Sequence, residues 1–215
     1  MRMKLFLLIV IAVPLLARQV PKVMIKVSVR LERSDLAPES FAAKPKVMYR
    51  AGSAYCRTEE MPDPEHGIHG LTIINEPDAW MVNLLTKTAR HLVDSGPTFN
   101  CRMPIFHDGQ MESGPDVKGL SELEFGREME YFKEKGALSS EGPVLQGKPT
   151  RVYASGVGGS QILLFTTGAP ERPWAVARKQ GDDVTESFWY GAYEELPFDA
   201  KLFTRPEGVK IEEVK

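Results

Sequence analysis

Val23-Met24-Ile25-Lys26-Val27-Ser28-Val29-Arg30-Leu31-Glu32 is the stretch whose reading decides the fold. Odd positions are apolar and even positions are mostly polar. A period of two is that of an extended strand with one face on a core. The segments downstream repeat the theme. Val47 to Arg50 and Tyr55 to Glu59 are short strands joined through Ala51-Gly52-Ser53, a hairpin signal. Leu36 to Lys46 holds Pro38 and Pro45 and reads as a loop, as does the acid-, Pro- and Gly-rich run from Met61 to Gly70. Leu71 to Ile74 is the next strand, and Asn75-Glu76-Pro77-Asp78 is a turn. Trp80, Val82 and Leu84 then alternate with Met81 and Asn83 in a strand expected to continue to Leu92, and Cys101 to Phe106, with Pro104 inside, reads as an edge strand.

One helix interrupts the strands. Ser121 and Glu124 have capping-box spacing, with Leu120 and Phe125 placed for a hydrophobic staple. Phe125, Met129 and Phe132 recur at helical spacing, Arg127, Glu130, Lys133 and Glu134 take the opposite face, and Gly136 closes the segment. Strands return at Thr150 to Ser155, Gln161 to Thr167, Trp174 to Gln180 and Val184 to Tyr193, separated by short turns. Consecutive strands with short turns favour antiparallel pairing. The expected class is α+β, mainly antiparallel β, with one covering helix after the sixth strand. Residues 18–215 then form a single domain, long enough for one real core.

The N-terminal residues 1–17 have the layout of a secretory signal peptide. Arg2 and Lys4 precede an almost wholly apolar run from Leu5 to Ala17, broken by Pro14 and ended by Arg18. The run is about thirteen residues, short of the roughly twenty a spanning helix needs. No cysteine follows it for lipid attachment. The expectation is cleavage near Ala17 and a periplasmic or secreted product with no membrane span. The mature net charge is about −4 and no basic cluster is present, so nucleic acid is not an expected partner. In an exported chain, Cys56 and Cys101 most simply form one disulfide, which would add roughly 4 kcal/mol by closing its loop.

Several residue groups carry possible chemistry. Asp63, Glu65, His66 and His69 share one loop, and His66 with His69 is a spacing that can chelate a metal. The competing reading is a solvated loop, since Gly67 and Gly70 flank the histidines and no third ligand is placed. His107-Asp108 fits a turn better than an acid/base pair, because Asp108-Gly109 is itself a turn dipeptide. Gly156-Val157-Gly158-Gly159-Ser160 has neither a Gly-Lys-Ser/Thr ending nor a following helix, so it is not a phosphate loop. Large apolar residues on strands, namely Trp80, Val82, Leu84, Leu163, Phe165, Trp174, Phe188 and Tyr190, can line a face that holds a lipid or other apolar ligand. The same alternation equally describes an ordinary core.

The C-terminal run Tyr193-Glu194-Glu195-Leu196-Pro197-Phe198-Asp199-Ala200-Lys201-Leu202-Phe203, followed by Thr204-Arg205-Pro206-Glu207-Gly208-Val209, resembles the end of the exported LolA-like carriers of outer-membrane lipoproteins. Lys46-Val47-Met48-Tyr49-Arg50-Ala51-Gly52 with Tyr55-Cys56-Arg57, and Ile74-Asn75-Glu76-Pro77-Asp78-Ala79-Trp80, are also similar to that group. The resemblance implies a strongly curved sheet, an incomplete barrel, whose concave face is covered by helices and holds acyl chains. The carriers begin with a helix, whereas here Val23 opens a strand at once. The resulting expectation is a non-enzymatic binding protein for a lipid or apolar ligand, with no cofactor and with lipid or a lipoprotein as partner. A structural or protein-interaction domain with a filled core, and a metal-assisted hydrolase at His66 and His69, are the alternatives.

Overall fold

A computed structural model describes residues 20–93, 123–157 and 159–212. The expected signal peptide, Cys101, the 101–106 strand, His107-Asp108 and the Ser121 cap lie outside the described residues. The first half of the chain is a meander of β1 (Val23–Arg33), β2 (Lys46–Ala51), β3 (Tyr55–Glu59), β4 (Gly70–Asn75), β5 (Asp78–Asn83) and β6 (Thr88–Val93). Helix α1 (Glu128–Glu134) follows, then a second meander of β7 (Ser139–Glu141), β8 (Arg151–Val157), β9 (Ser160–Thr167), β10 (Arg172–Gln180) and β11 (Asp183–Pro197). A 3-10 turn at Ala200–Phe203 leads to the two-residue β12 (Lys210–Ile211).

All described strands join one curved, open sheet in the order β12-β6-β5-β4-β3-β2-β1-β11-β10-β9-β8-β7. The two meanders meet where β1 pairs antiparallel with β11. Among the described strands, β12 alone pairs in parallel, on β6. The α+β, mainly antiparallel class therefore holds; the helix follows β6 among the described strands, while the 101–106 segment expected as the sixth strand lies outside the described residues.

Two details differ from the sequence expectation. The strand expected from Trp80 through Leu92 is two strands, β5 and β6, paired from Asp78–Val93 to Asn83–Thr88. Lys87 takes φ 55°, a turn conformation that alternation does not encode. The helix starts at Glu128 rather than after Ser121, because Gly126 adopts φ +87° and breaks the helical path. Its end is as expected: Gly136 N–H donates to the Lys133 carbonyl and Ala137 N–H to the Phe132 carbonyl, a Schellman closure.

Each face of the sheet carries a packed cluster. On one face, Val27, Val29 and Leu31 of β1 join Met48, Ile162, Leu164, Val176, Phe188 and Tyr190 beneath Leu123, Phe125 and Phe132. On the other, Leu71, Ile73 and Val82 lie beneath Phe203 and Val209 from the C-terminal tail. β1 serves both, since Met24 points to the tail side. A third cluster, Phe165, Ala175 and Ala177 with Leu163 and Trp189, occupies the β8–β11 half.

Candidate functional site

The segment from Leu123 to Ala137 organises the site. Phe125 packs against Phe188 and Tyr190 with ring centroids 5.6 and 5.8 Å apart, and Phe132 lies 6.4 Å from Tyr153. These contacts fill the centre of the helix face with the chain's own side chains. Polar ties hold the segment down. Arg50, buried on β2, donates to Glu124 at 2.5 Å, and Glu124 also accepts from Arg127 at 3.1 Å. Burial pulls the Arg50 guanidinium below its ordinary value, and the Glu124 charge opposes that fall.

Glu128 is fully buried in the same region. Its Oε1 accepts from Tyr190 Oη at 2.6 Å and from the Gly126 N–H at 2.7 Å, while its Oε2 has no hydrogen-bond partner among the described residues. Burial raises the Glu128 carboxyl above the ordinary carboxylate value, more than the Tyr190 hydrogen bond and the Arg50 charge lower it. Tyr190 is pushed well up by the same burial and by Glu128. Tyr190 and Tyr193 lie three residues apart yet serve one face. The β11 bulge at Gly191, where the register to β1 shifts between Ser28 and Val29, makes that possible.

A cleft of about 480 Å³ opens where α1 meets β8, lined by Met129, Glu130, Lys133, Gly136, Ala137, Leu138 and Tyr153. Leu138, in the wall of this cleft, is 89 % exposed. Tyr153 is fixed by its hydroxyl donating to Glu171 at 2.8 Å, and Glu171 also receives Thr166 Oγ1 at 2.9 Å. A second pocket, of about 360 Å³, lies between the β9–β10 turn and the β11 bulge.

The eight residues expected to line a ligand face are divided. Phe188 and Tyr190 are buried together under the 123–137 segment. Trp80, Val82 and Leu84 are on the opposite face with the tail, and Trp80 stacks on His91 at 5.3 Å. Leu163 and Phe165 belong to the third cluster. Trp174 borders the second pocket. Nothing in the sequence marks Met129, Ala137, Leu138 and Tyr153 as one wall. Glu128 has a readable signal, since it lies on the same helical stripe as Phe125 and Phe132.

The histidine loop is held by separate carboxylates. His66 Nδ1 is 2.7 Å from Asp63 Oδ2, and His69 Nε2 is 3.3 Å from Glu59 Oε1. Burial alone would raise the Asp63 carboxyl, but the hydrogen bonds from His66 outweigh it and hold the group below its ordinary value. Among the described residues no three His, Cys, Asp or Glu side chains gather as a metal-binding set. Among them also, no helix is long and apolar enough to cross a membrane. Cys56 is buried at the edge of the helix-face core.

No protein family and no curated protein matches the chain. Among solved structures, an uncharacterized conserved protein from Thermus thermophilus is similar at 11 % identity, with 88 % of this chain and 89 % of that chain covered and a TM-score of 0.49. A "putative outer membrane lipoprotein-sorting protein domain" from Vibrio parahaemolyticus is similar at 10 % identity, with 81 % and 85 % covered and a TM-score of 0.31.

Proposed function

We propose that the chain is an exported, non-enzymatic binding module that holds an acyl chain or comparable apolar ligand in the cleft between α1 and β8. The observation that carries this reading is the cleft itself, about 480 Å³ with Met129, Ala137, Leu138 and the Tyr153 ring in its wall. That volume lies within the range of about 300–1,000 Å³ common for small-ligand sites. Export rests on the signal-like residues 1–17, and acyl chains as ligand class fit the resemblance to lipoprotein carriers. The ligand lies along the Met129–Ala137 border and contacts the exposed Leu138. The ties through Arg50–Glu124 and Tyr190–Glu128 keep the 123–137 segment on the sheet while it does so.

The test is a titration of the mature protein with a fluorescent sixteen-carbon fatty acid. Leu138→Asp removes one leucine contact, worth about 1.5–3 kcal/mol, and should weaken binding roughly tenfold or more. Leu138 is exposed, so this variant keeps its fold. Leu92→Asp, at an exposed position on β6, is the control and should bind as the parent does. Equal affinity in the parent and Leu138→Asp, or no binding by the parent, overturns the proposal. The filled helix face under Phe125 and Phe132 favours one alternative, an interaction domain, and the second result selects it. The hydrolase alternative finds no third ligand for His66 and His69 among the described residues.

A further inference from the structure

The second pocket differs in chemistry from the cleft. Its wall is Lys148, Thr167, Gly168, Ala169, Pro170, Arg172, Pro173, Trp174 and the Tyr190–Tyr193 stretch of β11. It contains two cations and no carboxylate, in a chain whose net charge is −2. Lys148 is held by an aromatic face instead of an acid: its Nζ sits 3.8 Å from the centroid of the Trp174 ring. Arg172 donates one N–H to the Tyr193 carbonyl at 3.2 Å, which aims the guanidinium along β11 and leaves its other donors unused among the described residues. Glu171, the acid beside it in sequence, is committed elsewhere, to Arg151, Tyr153 and Thr166.

Trp174 Nε1 is sealed from solvent, so the indole meets the pocket through its ring and not through its N–H. The bulge explains the geometry. Pro173 and Ala175 pair with the adjacent residues Thr166 and Phe165, so Trp174 is the extra residue turned out of the ladder. Pro170, Pro173 and the indole ring supply flat apolar surface beside the donors.

We propose that this pocket is a second ligand site, which takes a phosphate-bearing group between Lys148 and Arg172 with its apolar neighbour on Trp174. Two cations and unused N–H donors with no competing acid fit a phosphate oxygen set. The phosphate belongs either to a phospholipid headgroup or to a free small molecule, and the experiment separates the two. The site is distinct from the α1–β8 cleft, so it does not depend on the acyl-chain reading.

The mature protein is titrated by calorimetry with inorganic phosphate and, separately, with short-chain phosphatidylglycerol below its micelle concentration. Binding of either probe that falls at least tenfold in Arg172→Gln and in Lys148→Met, with Leu92→Asp unchanged, supports the site. Phosphate binding assigns it to free anions, and phosphatidylglycerol binding alone assigns it to headgroups. Both substituted cations are exposed, and circular dichroism confirms that the variants fold. Failure of both probes to bind, or equal affinity in the double variant, overturns the proposal. Loss of phosphatidylglycerol binding in Leu138→Asp but not in the cation variants also overturns it, because the lipid then binds in the cleft.

Discussion

Replacing Glu128 by Gln and by Ala separates what its burial costs from what its hydrogen bonds contribute. The carboxyl is fully buried, and its Oε1 accepts from Tyr190 and from the Gly126 N–H. Gln keeps an oxygen for both donors and cannot ionise. Ala leaves both donors without an acceptor, at about 1–3 kcal/mol each, so it should cost about 2–6 kcal/mol. For a domain of about 200 residues each kcal/mol moves Tm by about 2–4 °C, so the Ala variant should melt at least about 4 °C lower. The Gln variant tests the charge. In the folded chain burial lifts the Glu128 carboxyl above its ordinary value of 4.5, against the opposing effects of Tyr190, Gly126 and Arg50. Between the ordinary and the raised value the native state binds more protons than the unfolded one, so stability falls as pH rises. The parent and Gln variant should therefore match at low pH. At about pH 7 Gln should be the more stable, by about 1.4 kcal/mol for each pH unit by which burial lifts the carboxyl. Denaturant titrations at about pH 4, 5.5 and 7 read this directly. A Gln variant that is less stable than the parent at neutral pH would refute the reasoning, because it would mean that Glu128 is ionised and stabilised by Arg50.

Lys46, buried beside the Phe41 ring, is pulled down to about 8 by burial, with the Glu60 charge opposing. The unfolded chain holds that proton to about 10.5, so stability should climb between about pH 8 and 10.5 and lose that slope in Lys46→Met, as denaturant titrations at fixed pH would show. Gly126→Ala should cost about 1–2 kcal/mol for φ +87° alone, and more because the new Cβ would sit 3.3 Å from Arg50 Cδ. Gly136→Ala is the comparison, with φ +68° and open space around it, so the difference between the two melting shifts reads the crowding at Arg50. If Cys56 and Cys101 are bridged, intact mass will rise by two hydrogens on reduction and stability will fall by roughly 4 kcal/mol.

The strands were legible because alternation survives wherever one face meets a core. β3 runs from Tyr55 to Glu59, where the residue pattern places it, and β1 ends one residue later than expected. What stayed hidden depends on backbone states and on distant partners. Lys87 and Gly126 redirect the chain through positive φ, so one long strand became a hairpin and the helix lost its first turn. Glu124 looked like a capping-box acid, but its nearest partner is Arg50, 74 residues away in sequence. The assumption that large residues on strands share one face also fails locally. The bulges at Trp174 and Gly191 shift the parity of β10 and β11, and the C-terminal tail claims Trp80, Val82 and Leu84 for a separate core. Short elements such as β7 and β12 carry too few residues to show any period.

The distribution of cover across the sheet explains where ligands should be sought. The tail from Leu196 to Ile211 crosses the face of the first meander, and its Phe198 and Phe203 stack at 5.5 Å over Tyr55. The seam of β1 with β11 is capped by Leu123, Phe125 and Phe132. The second meander has a seven-residue helix at its border and a three-residue edge strand, β7, with Leu138 and Val144 exposed on either side of it. The two cavities described above are lined wholly by residues between Met129 and Tyr193. Incomplete cover leaves apolar surface in water, and each exposed leucine contact that a ligand buries returns about 1.5–3 kcal/mol. The C-terminal tail and the 123–137 segment thus supply the packed cores, and the proposed binding surfaces lie on the second meander, at Leu138 and at the Lys148–Arg172 pocket.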